Sequence, residues 1–187
     1  MENYNKVGVG TSNAESSQTA GFQSADTALK ALDEGSKPGW ALAFCGGRHD
    51  PDSFLTSLTN VLGDIPVAGG ASIGCIANGF LGYSGFECGL LLFSSDVPAP
   101  RIISEDSLGI DEKEAGKRLG ESLKTLAKTD DAALLFYDSL SSPGPPPELH
   151  MGSRMVAGIY QGLGEANVRL IGGGTLTSHN FADSYVF

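Results

Sequence analysis

Asp64-Ile-Pro-Val-Ala-Gly-Gly-Ala-Ser-Ile-Gly74 is a short apolar run that empties into paired glycines and small residues. The same plan returns later as Asn167-Val-Arg-Leu-Ile-Gly-Gly-Gly-Thr175. Glycine after a β-branched run lets a ligand or another backbone approach where a Cβ would block it, and a tight turn could use that freedom equally well. The repetition therefore says more than either copy.

Working outward, each glycine strand is preceded by similar material. Trp40-Ala-Leu-Ala-Phe-Cys45 is an apolar run ending in a loop, followed by a helical pattern and the first glycine strand; Ala132-Ala-Leu-Leu-Phe-Tyr137 opens the same sequence of events for the second. Both runs read as strands covered on both faces. The chain thus reads as two pseudo-repeats, about residues 6–97 and 101–187, each running strand, helix, strand, helix, strand, hairpin. The expected class is α/β, a mixed sheet or sheets with helices packed on the faces.

Details of the pattern support that reading. Lys6 to Thr11 alternates like an opening strand, Ser12-Asn-Ala-Glu15 offers caps, and Ala25, Ala28, Leu29 and Leu32 recur at helical spacing in a helix from about Ser16 or Ser24 to Leu32. Asp50 and Pro51 suit the N-cap and first position of a helix whose inward stripe is Phe54, Leu55, Leu58, Val61 and Leu62. Asn78-Gly79 between apolar residues signals a hairpin turn of type I′, and Glu87 to Phe93 reads as a strand. In the second half, Arg101 to Ser104 reads as a strand. Asp111 with Glu114 resembles a capping box, and Ala115, Leu119, Leu123 and Leu126 carry a helix. Leu149, Val156, Ile159 and Leu163 carry another. Ser184 to Phe187 looks like the start of a strand, which would leave an unpaired edge for strand exchange between chains.

Composition narrows the function. The 187 residues carry a net charge of −10, with both halves acidic and no Lys/Arg cluster, so a nucleic-acid partner is not expected. The start lacks a basic, then apolar leader, and no apolar run approaches the roughly 20 residues of a membrane helix. The chain reads as cytoplasmic and without a membrane partner. Cys45, Cys75 and Cys88 show no metal-ligand spacing and read as reduced, buried thiols.

Taken together, the glycine-rich opening strand, Ala41-Leu-Ala-Phe-Cys45 before a helix, Ile65-Pro-Val-Ala-Gly-Gly-Ala-Ser72, the Asn-Gly hairpin and Val168-Arg-Leu-Ile-Gly-Gly-Gly174 resemble the N-terminal part of the FIST domain. The resemblance runs from about Val7 to Phe187, and the family's C-terminal region would begin beyond it, so the chain reads as a single FIST-like domain lacking that part. It implies a small-ligand sensory module of signal transduction, in a family found alone or fused to histidine kinases, cyclic-nucleotide enzymes, chemoreceptors and F-box segments. A ligand of the amino-acid or other small polar metabolite class, and a signalling partner or homodimer, are what it implies further.

Chemistry on the residues themselves leaves alternatives open. Cys45-Gly-Gly-Arg-His49 places a thiol, a guanidinium and an imidazole at a helix start, which could lower a thiol pKa or bind an anion. A thiol-dependent hydrolase or transferase using Cys45 is one alternative, although no third residue that would orient His49 is identifiable; a scaffold or interaction domain is another. Arg48 could form a fork for a carboxylate or phosphate or simply pair on the surface, and Asp138 could meet a ligand amine or cap its own loop. Neither glycine strand carries a P-loop or dinucleotide fingerprint, and Asp50, Asp52 and His49 are too few for a metal, so no cofactor and no metal are expected. Ligands of open α/β sheets collect outside the carboxyl ends of the strands. The expected site is a cleft between the halves lined by Arg48, His49, Gly69, Gly70, Ser72, Asp138, Gly173 and Thr175, with no catalytic residue.

Overall fold

The computed structural model describes residues 6–77, 79–128, 131–177 and 183–187. The fold is mixed α/β, with four helices and ten strands among the described residues. Two compact units divide it: residues 1–100 with 176–187, and residues 101–175.

The first unit is built on a four-stranded sheet in the order β1, β6, β2, β3, where β1 is Val7–Ser12, β2 Pro38–Gly46, β3 Val67–Ser72 and β6 Cys88–Ser94. β6 pairs antiparallel with both β1 and β2, whereas β2 and β3 run parallel, joined by α2. Helix α1 (Ser17–Lys30) starts on the side chain of Ser16, and α2 (Pro51–Leu62) on that of Asp50, which accepts from the Ser53 amide. Gly63, at φ 80°, ends α2. The stripe read from the sequence faces the sheet: Phe54 and Leu58 are fully buried against Ala41, Ala43, Leu90 and Leu92. Burying each such large side chain stabilises the fold by roughly 1.5–3 kcal/mol. Covering is one-sided, because Leu42 and Phe44 on the other face of β2 are only half-buried and Leu91 is exposed. Trp40 and Phe93 stack at 3.7 Å there.

A hairpin, β4 (Cys75–Ala77) with β5 (Phe80–Gly82), stands where the Asn-Gly signal placed it; Asn78 lies outside the described residues, and Gly79 takes φ 71°. The end of the chain is not the unpaired edge expected from the sequence. Val186 bridges antiparallel to Gly70, the Ala71 amide donates to the Tyr185 carbonyl, and the Phe187 amide donates to the Gly69 carbonyl. An edge strand presents a row of unpaired amides and carbonyls, and here the chain's own final residues take them. Tyr185 and Phe187 also pack on the core.

The second unit holds β7 (Ala132–Asp138) and β10 (Arg169–Thr175), paired in parallel through α4 (Gly152–Leu163), with α3 (Glu112–Leu126) beside α4. Its core is Met155, Ile159, Leu163 and Val168, with Ala133, Leu135, Tyr137 and Leu170 against them. The helices touch backbone to backbone. A Cβ on Gly116 or Gly120 would stand 2.1 Å from the carbonyl oxygen of Met155 or Ile159, and one on Gly158 or Gly162 at 2.0 or 2.2 Å from those of Lys113 and Lys117.

Three expectations are corrected here. Arg101 to Ser104 forms no strand; its neighbour Glu105 instead ties the segment to α3 through Arg118. β7 is not covered on both faces, since Leu134 and Ile171 are 52% and 62% exposed on the side away from α4. Leu149 belongs not to α4 but to β9 (Glu148–Leu149), which pairs with β8 (Leu140–Ser142) within the proline-rich loop.

Each unit thus contains one parallel β-α-β pair with a second helix beside it, and the glycine strands occupy equivalent register: Gly69 opposes Ala43 as Gly172 opposes Leu135. The wider duplication expected from the sequence is not confirmed. Among the described residues, the second unit has no counterpart to β1, β6 or the β4-β5 hairpin.

Candidate functional site

Both parallel pairs carry a helix N-terminus near the carboxyl ends of their strands, as the connection requires, so each unit has one place where backbone amides face outward. The two places differ in what fills them.

In the first unit the loop after β2 is occupied by the chain itself. His49 is buried; its Nε2 lies 2.9 Å from the Phe86 carbonyl oxygen and its Nδ1 3.3 Å from Ser17 Oγ. A carbonyl can only accept, so Nε2 carries the proton and Nδ1 accepts from the Ser17 hydroxyl, which in turn accepts from the Asp50 amide at 3.0 Å. Both ring nitrogens are committed to holding the loop against α1 and the β5-β6 connection. Arg48 is exposed, with its guanidinium 5.1 Å from the centre of the Phe86 ring. Gly47 lies against the Thr177 carbonyl, where a Cβ would stand at 2.1 Å. Gly69 and Gly70 are buried within the sheet and bracketed by the chain's last residues. Ser72, at the end of β3, keeps a buried Oγ with no hydrogen-bond partner among the described residues.

The Cys45-His49 pair weighed from the sequence does not form. Cys45 Sγ is buried 3.0 Å from Tyr185 Oη, and His49 is turned to Ser17 and Phe86.

In the second unit the corresponding place is open. A pocket of about 220 Å³ is lined by Leu135, Tyr137, Leu170, Gly172 and Gly173 from the strands and by Gly152, Val156 and Tyr160 from α4. The three α4 residues are spaced by four and form one stripe beside the buried stripe of Met155, Ile159 and Leu163. Ser16, Asp50 and Asp111 each cap their helix with a side chain; α4, preceded by Met151, has no such cap. Its first turn borders the pocket at Gly152, with the Tyr137 hydroxyl alongside. Gly172 takes φ 150° under the Leu135 carbonyl, Gly173 faces open space, and both are exposed. One end of the pocket therefore offers the Tyr137 hydroxyl and the positive end of a helix, although the Gly152 amide itself donates to the His150 carbonyl at 3.1 Å, and the other offers Leu135, Val156 and Leu170.

Of the residues expected to line a site, Arg48, His49, Gly69, Gly70 and Ser72 lie in the first unit and Asp138, Gly173 and Thr175 in the second. Gly173 lines the pocket. Asp138 accepts from the Leu140 amide at 2.7 Å, the loop-capping reading, and Thr175 Oγ1 donates to the Tyr137 carbonyl at 3.2 Å, so both serve the strand ends. Sequence reasoning passed over Tyr137, Gly152 and Tyr160. The signal available was the missing Ser, Thr, Asp or Asn ahead of Gly152, in a chain whose other three helices all have one.

Near the same helix start, Glu112 accepts from His150 Nδ1 at 3.4 Å and pairs with Arg154 at 3.4 Å. Hydrogen bonding within its own first turn and from His150 keeps the Glu112 carboxyl below its ordinary range, even though partial burial pushes the other way.

The arrangement is that of an α/β module with one parallel β-α-β pair, and one glycine-rich strand, in each unit. The FIST N domain model matches residues 39–187, and the chain belongs to the FIST family, a sensory family of signal transduction. No curated protein and no solved structure matched the chain. No helix among the described residues is long and apolar enough to cross a membrane.

Proposed function

We propose that this FIST domain is a small-molecule sensor whose ligand occupies the pocket between α4 and the β7-β10 face. The observation that carries the reading is the uncapped α4 N-terminus opening beside Gly172 and Gly173. The helix dipole favours an anion, so the ligand's carboxylate would sit at Gly152, near the Tyr137 hydroxyl. Its apolar part would run along Leu135, Val156 and Leu170. Those features suit an amino acid or a short organic acid with a small apolar tail, and the pocket lies below the roughly 300 Å³ at which drug-sized ligand sites begin, which restricts it to a small ligand.

Binding would stabilise the second unit, because a ligand that binds only the folded state raises stability by mass action. A thermal-shift screen over amino acids and short organic acids tests this. A saturable rise for at least one, lost in Gly152→Val, supports the sensor; a blank screen contradicts it.

A specific observation also favours a second reading, an interaction scaffold. Leu134 and Ile171 form an exposed apolar face on β7 and β10. Under that reading Leu134→Asp with Ile171→Asp would abolish partner capture, while the metabolite screen would stay blank.

A further inference from the structure

Cys45 and Cys88 face one another directly across the antiparallel β2-β6 pair. Opposed residues of such a pair have Cα atoms about 4.5 or 5.5 Å apart and side chains on the same face. Both spacings lie within the Cα range of a disulfide. Both thiols are fully buried in the core on the helix-covered face. Cys75 sits on the opposite face of β6, where its Sγ would lie 2.8 Å from a Cβ on Gly89. It is therefore not placed to compete.

The same pair touches the end of the chain. Tyr185 Oη lies 3.0 Å from Cys45 Sγ and donates to the Cys45 carbonyl at 3.4 Å, while residues 185 to 187 hold the free edge of β3. We propose that Cys45 and Cys88 are a peroxide-oxidisable pair whose disulfide releases the Tyr185–Phe187 segment from the glycine strand.

The chemistry balances with a hydroperoxide as oxidant. The Cys45 thiolate attacks one peroxide oxygen, the O–O bond breaks and the departing hydroxide takes a proton, leaving a sulfenic acid and water. The Cys88 sulfur then attacks Cys45 Sγ; the S–S bond forms, the S–O bond breaks, and the leaving hydroxide carries off the Cys88 proton as a second water. Two thiols are oxidised by two electrons and one peroxide is reduced. The assignment of roles follows the surroundings. A hydrogen bond from the Cys88 thiol, and one from the Tyr185 hydroxyl when it turns from the Cys45 carbonyl to the sulfur, draw the Cys45 thiol below its usual range against the effect of burial, and the Cys45 contact with burial pushes Cys88 well up. Attack by Cys45, whose sulfur has the Tyr185 hydroxyl 3.0 Å away, and resolution by Cys88 fit that order. Once Cys45 Sγ is bonded to Cys88 it has neither a proton to give the Tyr185 hydroxyl nor a charge to attract it, so the attachment of the segment through that sulfur weakens.

The test treats the full chain with hydrogen peroxide and maps its peptides by mass spectrometry without reduction. The expected result is a Cys45–Cys88 bond with loss of two hydrogens, reversed by dithiothreitol and unchanged in Cys75→Ser. In the same samples, hydrogen exchange of the Phe187 amide should speed at least about tenfold on oxidation. A chain that stays fully reduced, or whose bond joins Cys75, overturns the pair; a Cys45–Cys88 bond with unchanged exchange at Phe187 overturns the release. Because the decision rests on the wild-type peptides, a poorly folding Cys88→Ser variant does not affect it.

Discussion

The Tyr137 hydroxyl stands against the first residue of α4, so closely that a Cβ on Gly152 would lie 2.4 Å from Tyr137 Oη. Glycine at that position lets a polar group at the end of β7 reach the helix start. Tyr137→Phe keeps the ring and its packing and removes one donor. It should weaken a carboxylate ligand by about 0.5–1.5 kcal/mol and leave the melting temperature nearly unchanged, as calorimetric titration beside a thermal melt would show.

The paired glycines make a matched stability prediction. Gly69 at φ 142° and Gly172 at φ 150° each lie under the carbonyl of the residue opposite, where a Cβ would stand at 1.9 Å, whereas nothing lies within 4 Å of one on Gly173. Backbone strain of this kind alone costs about 1–3 kcal/mol, and the carbonyl clash adds to it. Gly69→Ala and Gly172→Ala should each lose at least about 2 kcal/mol in urea unfolding, and Gly173→Ala should stay within about 0.5 kcal/mol. Equal losses at all three positions would contradict the register described.

Helix propensity and packing pull in opposite directions at Gly120. Alanine would favour an exposed helix interior by about 1 kcal/mol, but here its Cβ would press on the Ile159 carbonyl of α4 at 2.1 Å. Packing should win, so that Gly120→Ala destabilises by about 1–3 kcal/mol. By moving α4, it should also weaken any ligand at Gly152. Denaturant unfolding and titration of the same variant read both effects.

A pH dependence follows from Glu105. Hydrogen bonds from Arg118, at 3.1 Å, and from Ser107 lower its carboxyl to about 2 from an ordinary 4.5. A group whose folded value is depressed contributes stability that is complete above the unfolded value and is lost as pH falls toward the folded one. The wild-type melting temperature should therefore fall more steeply between about pH 5 and pH 2 than that of Glu105→Gln, which should be the less stable at neutral pH. Parallel curves for the two proteins would show that the pair contributes nothing. Since Arg118 is 42% exposed, added salt should shrink the difference.

Much of the fold was legible because local signals agreed with the tertiary outcome. Asp50-Pro51 capped α2, Gly63 ended it, and the stripe from Phe54 to Leu62 faced the core. The glycine strands were legible as strands, and their equal register with β2 and β7 follows from the parallel β-α-β plan. What the pattern could not carry was pairing at a distance. Nothing local says that Val186 bridges Gly70, that Cys45 faces Cys88, or that His49 spends both nitrogens on Ser17 and Phe86. Arg101-Ile-Ile-Ser104 has strand propensity but forms none, while Glu105 beside it pairs with α3. The candidate pocket was half legible. Gly173 was named, whereas Gly152 shows itself only through a cap that is missing, and the i, i+4 glycines of α3 and α4 carry no local sign of the backbone contact they allow.

The most direct test of the central claim is a titration of the isotope-labelled full chain with amino acids and short organic acids, one at a time, following the backbone amides. A sensor of the kind proposed predicts that at least one of them moves the amides of Gly152, Ser153, Gly172 and Gly173 saturably and together. Amides that stay still throughout, or that move only around Arg48 and His49, would contradict it.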